Sequence, residues 1–177
     1  VVTMAGGQGT RLGHSGPKGT FEINVNSGKK YLFQIIVEAL QRANKKYNSN
    51  IPWYIMTSRE NNKDTVDFLE KHNYFGYDKN NIKLFIQGEL PLVDTNGNLV
   101  IGKDKKIKEA ADGNGGIYEA MAKGHILEDM EKRGVEWIFV GGIDNVLLNI
   151  VDPTLVGLTI KENNLIASKS IVKREPK

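Results

Sequence analysis

Short apolar runs alternate along this chain with longer stretches in which apolar residues recur at helical spacing. The candidate helices span residues 31–47, 62–72 and 117–130, with another from about 153, and the candidate strands span 1–4, 53–56, 82–86, 137–140 and 165–172. Strands that are joined through helices lie parallel, and the helices cover the sheet. The alternation therefore predicts an α/β fold with a mostly parallel central sheet, in which ligands bind beyond the carboxyl ends of the strands.

The composition excludes several kinds of site and partner. A length of 177 residues is enough for one domain with a sizeable core, and the lack of cysteine rules out disulfides and thiolate metal sites. A net charge of +3, from 24 basic and 21 acidic residues, does not indicate a nucleic-acid partner. No apolar run reaches the ~18 residues that a membrane span requires. We therefore expect a cytoplasmic protein that binds neither nucleic acid nor membrane.

The densest motif is a glycine-rich loop directly after the first predicted strand. It reads AGGQGTRLG over residues 5–13, called the glycine loop below, and GPKG follows over residues 16–19. Clustered glycines let the backbone approach a ligand and turn its amides toward an anion. Because Arg11 and Lys18 add positive charge, the motif predicts a cradle for phosphate groups, with a glycine turn and two solvated cations as the alternative.

Two familiar phosphate-binding motifs fail on spacing. A dinucleotide fingerprint requires a third glycine where this chain has Leu12. A P-loop requires glycine before its lysine and serine or threonine after it, whereas Pro17 and Gly19 flank Lys18 here. Neither motif therefore accounts for the glycine loop.

The loop resembles the signature of the UDP-sugar pyrophosphorylases, and among them most of all the UDP-N-acetylhexosamine pyrophosphorylases. The resemblance extends over nearly the whole chain and implies a Rossmann-like three-layer nucleotidyltransferase fold. It implies that residues 1–177 form the nucleotide-binding catalytic domain, incomplete at both ends. It also implies that the loop wraps the triphosphate of UTP and that Arg11 and Lys18 stabilise charge during transfer. The loop residues that it assigns to the nucleotide are Gly6, Gly7, Gly9 and Thr10.

Two further segments match the family pattern. Gln87 opens the run QGELP after the third predicted strand. The family glutamine reads the uracil edge, for which an amide offers both a donor and an acceptor, and a surface turn is the alternative. The run DGNGG opens the next helix, where free N–H groups and the helix dipole favour anions. The resemblance assigns Asn114 and Gly115 to the nucleoside pocket, and a helix cap by Asp112 or Asn114 is the alternative.

A carboxylate and a late lysine complete the predicted site. Asp144 follows the predicted strand 137–140, where a carboxylate can hold Mg²⁺ that bridges phosphate oxygens. The resemblance assigns Asp144 to both the metal and the nucleotide, and a plain turn is the alternative. In the family a late lysine reaches the phosphates, and we favour Lys173 over Lys169 for this role.

The resemblance implies a uridylyltransferase that forms a UDP-sugar and pyrophosphate from UTP and a sugar 1-phosphate, above all N-acetylglucosamine 1-phosphate. A UDP-glucose or UDP-galactose pyrophosphorylase and a non-catalytic nucleotide-binding module are the alternatives. Because the family draws its sugar-binding elements mostly from later sequence, we expect this chain to bind nucleotide and to turn over poorly alone. The chain departs from the family pattern at Gly141, Gly142 and Glu89. The scattered histidines, which we expect to be structural or solvated, are His14, His72 and His125.

Overall fold

The computed structural model of the protein describes residues 1–172. Its strands are β1 (Val2–Met4), β2 (Glu22–Val25), β3 (Gly28–Tyr31), β4 (Trp53–Thr57), β5 (Ile82–Ile86), β6 (Glu89–Pro91), β7 (Glu109–Ala111) and β8 (Val140–Gly142). Its α-helices are α1 (Leu32–Tyr47), α2 (Asn62–Lys71), α3 (Ile117–Lys123), α4 (Ile126–Lys132) and α5 (Pro153–Lys161). Within this described range, no helix has the length and apolar character of a membrane span.

Four parallel strands form the central sheet in the order β5–β4–β1–β8. Strand β4 is buried along its whole length, as expected for a strand that helices cover on both faces. The chain runs outward from β1 to β4 and β5 and then returns to the other side of β1, where Val2 lies opposite Val140. In sheets of this kind, such a reversal marks the end of the sheet where ligands bind, outside the carboxyl ends of the strands.

Successive residues of β4 pack on different helical layers. Trp53 and Ile55 join the cluster that includes α1 and α2, whereas Tyr54 and Met56 join the cluster of α3 and α4. Helix α1 contributes one apolar stripe, made of Leu32, Phe33, Ile36, Val37, Leu40 and Ala43. The predicted face of this helix and the predicted parallel α/β fold are confirmed, because the sheet lies between two helical layers.

The prediction of one continuous helix over 117–130 is wrong. The structure has two short helices there, α3 and α4, separated by Gly124 and His125. His125 has a left-handed backbone with φ of 55°, which a continuous right-handed helix cannot contain. The apolar period continues across the break because both helices pack on the same face of the sheet. Periodicity alone therefore hides the break.

Two predicted strands also differ from the structure. The strand predicted over 137–140 pairs only from Val140 onward, and Trp137 lies 40% exposed before it. Residues 165–172 form no strand, and Leu165 and Ile171 are exposed by 91% and 95%. Both segments contain apolar residues, but such a segment becomes a strand only where a neighbouring strand can pair with it. No such neighbour lies beside 165–172 within the described range.

Two antiparallel hairpins are not indicated by the apolar pattern. In the first, Glu22 of β2 lies opposite Tyr31 of β3, and in the second, Glu89 of β6 lies opposite Ala111 of β7. Their strands are short and mostly exposed, so they lack a continuous apolar run. The available signal is the alternation of apolar and polar residues from 21 to 25, which is typical of a half-buried strand.

An ion-paired network joins α4 to the central sheet. Asp129 accepts hydrogen bonds from the hydroxyl of Tyr54 at 2.8 Å, from Lys83 at 2.6 Å and from Arg133 at 2.7 Å. Burial alone would raise the pKa of Asp129, but these three donors outweigh it and lower the pKa from 3.8 to about 2. The charged form of Asp129 therefore stabilises the fold.

The stability of the protein should fall between pH 4 and pH 2 in a way that depends on Asp129. Because the folded pKa is lowered, the contribution is complete above pH 4 and is lost as protonation sets in near pH 2. We expect the free energy of unfolding to fall by about 1–2 kcal/mol, after allowance for solvent screening of the ion pairs of Asp129. Acid titrations followed by circular dichroism should show this loss in the wild type and not in Asp129→Asn. An identical pH dependence in both proteins would contradict the assignment.

Candidate functional site

The carboxyl ends of the central strands converge at one edge of the sheet. The glycine loop follows β1, Ser58 follows β4, Gln87 follows β5, and Asp144 comes two residues after β8. This arrangement brings distant parts of the sequence together, since Lys18 Nζ lies 3.5 Å from Asp144 Oδ2 across 126 positions. The predicted residues Gly6, Gly7, Lys18, Gln87 and Asp144 therefore belong to one region.

The glycine loop presents three successive backbone amides to this region. The N–H groups of Gly6, Gly7 and Gln8 donate to no backbone or side-chain acceptor in residues 1–172. The carbonyl of Gly7, in contrast, accepts a hydrogen bond from the amide of Lys18 at 3.0 Å. Consecutive free amides in such a turn can bind an anion between them. The loop thus has the donor groups that a phosphate cradle requires.

His14 packs against the middle of the glycine loop. The amide of Gly9 donates to the carbonyl of Gly16 at 2.9 Å, which closes the excursion between them. A Cβ at Gly9 would lie 2.8 Å from Cβ of His14, whose ring also contacts the hydroxyl of Thr20 at 2.7 Å. Gly9 is therefore required by packing within the protein, and His14 has the structural role that we expected of it.

The tip of the loop is exposed to solvent. Thr10 and Arg11 are exposed on a short 3-10 turn that ends at Gly13, whose φ is 68°. Within the described range, Arg11 forms no hydrogen bond or ion pair. The guanidinium is thus available to a ligand.

Lys18 is held in place by its own turn. It begins a 3-10 turn, Lys18–Thr20, which packs on α1 so closely that a Cβ at Gly19 would lie 2.2 Å from the ring of Phe33. The side chain of Lys18 is only 20% exposed, and its amine lies 3.7 Å from the position of a Cβ on Gly7. The ammonium group therefore lies between the glycine loop and Asp144, where it can offset the charge of a phosphate.

The amide of Gln87 is engaged by the protein itself. Gln87 is buried, and its Nε2 donates to the carbonyl of Gly113 at 3.1 Å and to Oδ1 of Asp112 at 3.3 Å. Its Oε1 lies against Gly6, where a Cβ would come within 2.6 Å of it. A surface turn is thus excluded for Gln87. Recognition of a base through Nε2 requires exchange of one of the two existing hydrogen bonds.

Asp112 is a site residue that the sequence did not single out for this role. Its carboxylate lies between two glycines, because a Cβ at Gly88 or at Gly116 would come within 2.3 Å or 2.2 Å of it. It does not cap α3, whose first turn receives no side-chain hydrogen bond. Asp112 instead orients Gln87, so the cap alternative is wrong.

The turn that opens α3 leaves space for a ligand. Asn114 and Gly115 are both exposed, and a Cβ added at Gly115 would meet no atom within 4 Å. Gly113, just before them, has φ of 83°, a conformation that favours glycine. No packing inside the described protein therefore requires a glycine at position 115. A ligand that approaches the backbone would explain it.

Asp144 supplies a carboxylate beside the glycine loop. Its side chain is 65% exposed, and Gly142 leaves room for it, since a Cβ there would lie 2.7 Å from Asp144 Oδ1. No group of three or more histidine or acidic side chains that could hold a metal exists among residues 1–172. Proteins often hold Mg²⁺ through one carboxylate and the phosphate oxygens of a substrate. Asp144 therefore fits the predicted ion together with a nucleotide rather than by itself.

A cleft of about 290 Å³ lies between the glycine loop and the β6–β7 hairpin. The polar side chains that line it are Gln8, Ser58, Glu60, Gln87, Glu89 and Glu109. Arg59 pairs with Glu89 at 3.2 Å and with Glu109 at 3.7 Å, which ties the hairpin to the β4–α2 loop. Glu89, where this chain departs from the family pattern, thus forms an ion pair with Arg59. Three carboxylates and one guanidinium thus lie at the cleft, whereas Lys18 lies beside the glycine loop and faces the single carboxylate of Asp144.

Of the two late lysines, the structure describes only Lys169. Lys173 lies outside the described residues. Lys169 forms an ion pair with Asp152, the residue that caps the first turn of α5 by accepting from the amide of Thr154 at 2.9 Å. The preference for Lys173 over Lys169 is consistent with this pairing, and the role of Lys173 stays a prediction.

Comparison with known proteins places this arrangement in a family. The sequence matches the family described as UTP-glucose-1-phosphate uridylyltransferase over residues 1–173. The chain belongs to this family. The predicted resemblance and fold class are thereby confirmed, and the glycine loop, Gln87 and Asp144 all lie within the matched part of the uridylyltransferase family.

Three relatives show which enzymes of the uridylyltransferase family this chain is similar to. UDP-N-acetylglucosamine pyrophosphorylase of Saccharomyces cerevisiae is 43% identical over 99% of this chain and 37% of its own length. The uridine diphosphate N-acetylglucosamine pyrophosphorylase of Trypanosoma brucei, solved with an inhibitor, has a TM-score of 0.82 at 30% identity over 92% of this chain and 35% of that one. A UDP-glucose pyrophosphorylase of Leishmania major shares the fold, with a TM-score of 0.75 at 21% identity over 92% of this chain and 33% of that one. The chain thus spans 37% of the length of the yeast relative.

Proposed function

We propose that this chain is the nucleotide-binding part of a uridylyltransferase that makes a UDP-sugar and pyrophosphate from UTP and a sugar 1-phosphate. One observation carries the proposal: Lys18 Nζ lies 3.5 Å from Asp144 Oδ2, beside the free amides of the glycine loop. A cation, a carboxylate and anion-binding amides at the carboxyl ends of parallel strands are the groups that a nucleoside triphosphate requires. The yeast and trypanosomal relatives favour N-acetylglucosamine 1-phosphate as the acceptor.

The distribution of charge favours one orientation of the nucleotide. Arg59 offsets only part of the negative charge of the glutamates that line the cleft, so the cleft repels a triphosphate, whereas Lys18 and the free amides of the glycine loop attract it. The uncharged base then points toward Gln87, and the ribose toward the open turn at Gly115. This orientation agrees with the role that the family resemblance implies for these residues.

The proposed reaction is an in-line attack of a sugar 1-phosphate oxygen on the α-phosphorus of UTP. The bond from this phosphorus to the bridging oxygen breaks, and pyrophosphate leaves with the electron pair. The attacking phosphate is already anionic near neutral pH, so no general base is required. Lys18 and Arg11 would offset charge on the phosphates, and alignment of the reactants can supply roughly 7–11 kcal/mol of the barrier lowering.

We further propose that Asp144 holds Mg²⁺ together with phosphate oxygens of the nucleotide. The bound ion would neutralise phosphate charge and orient the triphosphate. The exposed carboxylate of Asp144 and the lack of a complete protein ligand set in residues 1–172 both suit an ion that arrives with its nucleotide. A cytoplasmic location, inferred from the cysteine-free composition, stays a prediction.

Thermal unfolding with Mg²⁺ and each of UTP, CTP, ATP and GTP tests the proposed function. A ligand that binds only the folded protein stabilises it by ~2.7 kcal/mol at a hundredfold excess over its dissociation constant. We expect a rise in the unfolding temperature that is largest for UTP and smaller when EDTA replaces Mg²⁺. Equal rises for all four nucleotides would support a general nucleotide-binding module instead. No rise with any of them would contradict the proposal.

Replacement of Gly115 by alanine should weaken UTP binding without harm to the fold. The added methyl group meets no protein atom within 4 Å, so the protein itself does not oppose it. If the ribose packs on this backbone, overpacking of the complex should lower the affinity by about tenfold. Gly157→Ala is the matched control, because that glycine also has open space around it but lies on α5. Equal calorimetric affinities for Gly115→Ala and the control would place the ribose elsewhere.

A further inference from the structure

We propose that Asn61 is a positioning residue that sets the direction of the peptide groups in the glycine loop. Asn61 is fully buried at the junction between β4 and α2. It lies 54 positions from Gly7, to which its side chain is hydrogen-bonded. The inference rests on the proposed function, because it gives these peptide groups the task of binding the phosphates of UTP.

The carboxamide of Asn61 joins two loops. Its Nδ2 donates to the carbonyl of Ala5 at 2.9 Å and to the carbonyl of Gly7 at 3.4 Å. Its Oδ1 accepts a hydrogen bond from the backbone N–H of Ser58 at 2.9 Å. The backbone N–H of Asn61 in turn donates to the hydroxyl of Ser58 at 3.2 Å. One side chain thus uses both its donors on the glycine loop and its acceptor on the end of β4.

The consequence for the loop follows from the geometry of the peptide bond. In a trans peptide unit the C=O and the N–H point in opposite directions. When the carbonyls of Ala5 and Gly7 point toward Asn61, the N–H groups of Gly6 and Gln8 point away from it. These are two of the amides that have no acceptor within the described protein. Asn61 therefore holds open the groups that we expect to bind phosphate.

A helix-capping role does not account for this side chain. Asn61 stands at the N-cap position of α2, but its side chain makes no hydrogen bond to the first turn of that helix. Its donors go to the glycine loop instead. Loss of the carboxamide should therefore affect the loop more than the helix, and this difference can be measured.

The decisive experiment compares Asn61→Ala with Thr65→Val by calorimetry. Thr65 is a fully buried residue one turn along α2, and its hydroxyl has no hydrogen-bond partner among residues 1–172, so its replacement by the isosteric valine removes no hydrogen bond. We expect Asn61→Ala to lower the affinity for Mg²⁺·UTP and for inorganic triphosphate by about tenfold, and to leave the affinity for uridine unchanged. Thr65→Val should bind all three as the wild type does. Equal losses for uridine and triphosphate would show general damage and overturn the proposal.

A measurement without ligand separates this proposal from the proposed function. The amide of Lys18 is bonded to the carbonyl of Gly7, so Asn61→Ala should accelerate its hydrogen exchange about tenfold, while the core amide of Tyr54 exchanges at the wild-type rate. Faster exchange at Lys18 in a protein that does not bind UTP would keep the positioning role and refute the function. If the wild type binds UTP, but Asn61→Ala changes neither the hydrogen exchange of Lys18 nor the affinity for Mg²⁺·UTP, the proposed function stands and the positioning role is refuted. If Asn61→Ala does not fold, Asn61→Asp, which keeps the acceptor for Ser58, provides the same readouts.

Discussion

Replacement of Lys18 by methionine is expected to weaken the binding of Mg²⁺·UTP by about 10- to 100-fold. A hydrogen bond to a charged group contributes about 1.5–3 kcal/mol, and each 1.4 kcal/mol is a factor of about ten in affinity. Methionine keeps an unbranched side chain beside Gly7, so the change removes the charge with little loss of packing. Isothermal titration calorimetry at low and high salt measures the effect, which should shrink as salt screens the charge.

The control for this variant is Lys132→Met, which removes one positive charge from the exposed last turn of α4. It changes the net charge by the same amount at a position outside the candidate site. We expect its affinity for Mg²⁺·UTP to stay within about twofold of the wild type. If both variants weaken binding equally, the effect belongs to the overall charge of the protein, and Lys18 does not contact the phosphates.

Replacement of Gly19 by alanine should destabilise the protein by about 3 kcal/mol, which is large for one methyl group. The new Cβ would lie 2.2 Å from Cε2 and 2.3 Å from Cζ of Phe33, a ring that is fully buried in the core. The ring cannot turn aside into solvent, so the turn that carries Lys18 must shift. Thermal unfolding should therefore show a lower melting temperature, and UTP affinity should fall as well.

Two comparisons show whether the contact with Phe33 is the cause. Gly157→Ala adds the same methyl group to α5 in open space and should stabilise the protein by up to about 1 kcal/mol through helix propensity. In a Phe33→Leu background, the cost of Gly19→Ala should become smaller, because the shorter side chain makes room for the methyl group. An equal cost in both backgrounds would mean that the backbone of the turn, and not the ring, opposes alanine.

The layered core could be predicted because burial imposes a period on the sequence. The apolar stripe of α1 and the continuous apolar run of β4 each show which faces are covered, and both predictions are confirmed. The break at His125 could not be read, because a left-handed residue between two helices leaves the apolar period intact. The strand predicted over 165–172 failed for another reason, since strand formation depends on a partner that no local pattern reveals.

The site was predictable where a motif or the family resemblance already points to a charged residue. Lys18 was selected as a cation within the glycine-rich motif and Asp144 through the family resemblance, and the structure places Lys18 Nζ 3.5 Å from Asp144 Oδ2. Arg11 was selected, like Lys18, as a cation of the glycine-rich motif, but it lies on the exposed tip of the loop, because sequence spacing does not give the path of an irregular loop. Whether these residues bind UTP stays a prediction.

The supporting residues were not predictable from the sequence. Asn61 and Asp112 act through contacts to Gly7, Gly88 and other groups far along the chain, and nothing in their local sequence indicates those partners. An asparagine before a helix and an aspartate among glycines are read most simply as caps. The structure shows that both side chains face inward to the site, so the three-dimensional contacts were needed to recognise them.

The most direct test is a titration of the isotopically labelled protein with Mg²⁺·UTP, followed by ¹H–¹⁵N correlation spectra. We predict that the largest shifts occur at the amides of Gly6, Gly7, Gln8 and Gly115 and at the side-chain amide of Gln87. The backbone amides of α4 and α5, which lie outside the site, should barely shift. Largest shifts on those helices, or no saturable shift at any amide, would contradict the claim that this edge of the sheet binds the nucleotide.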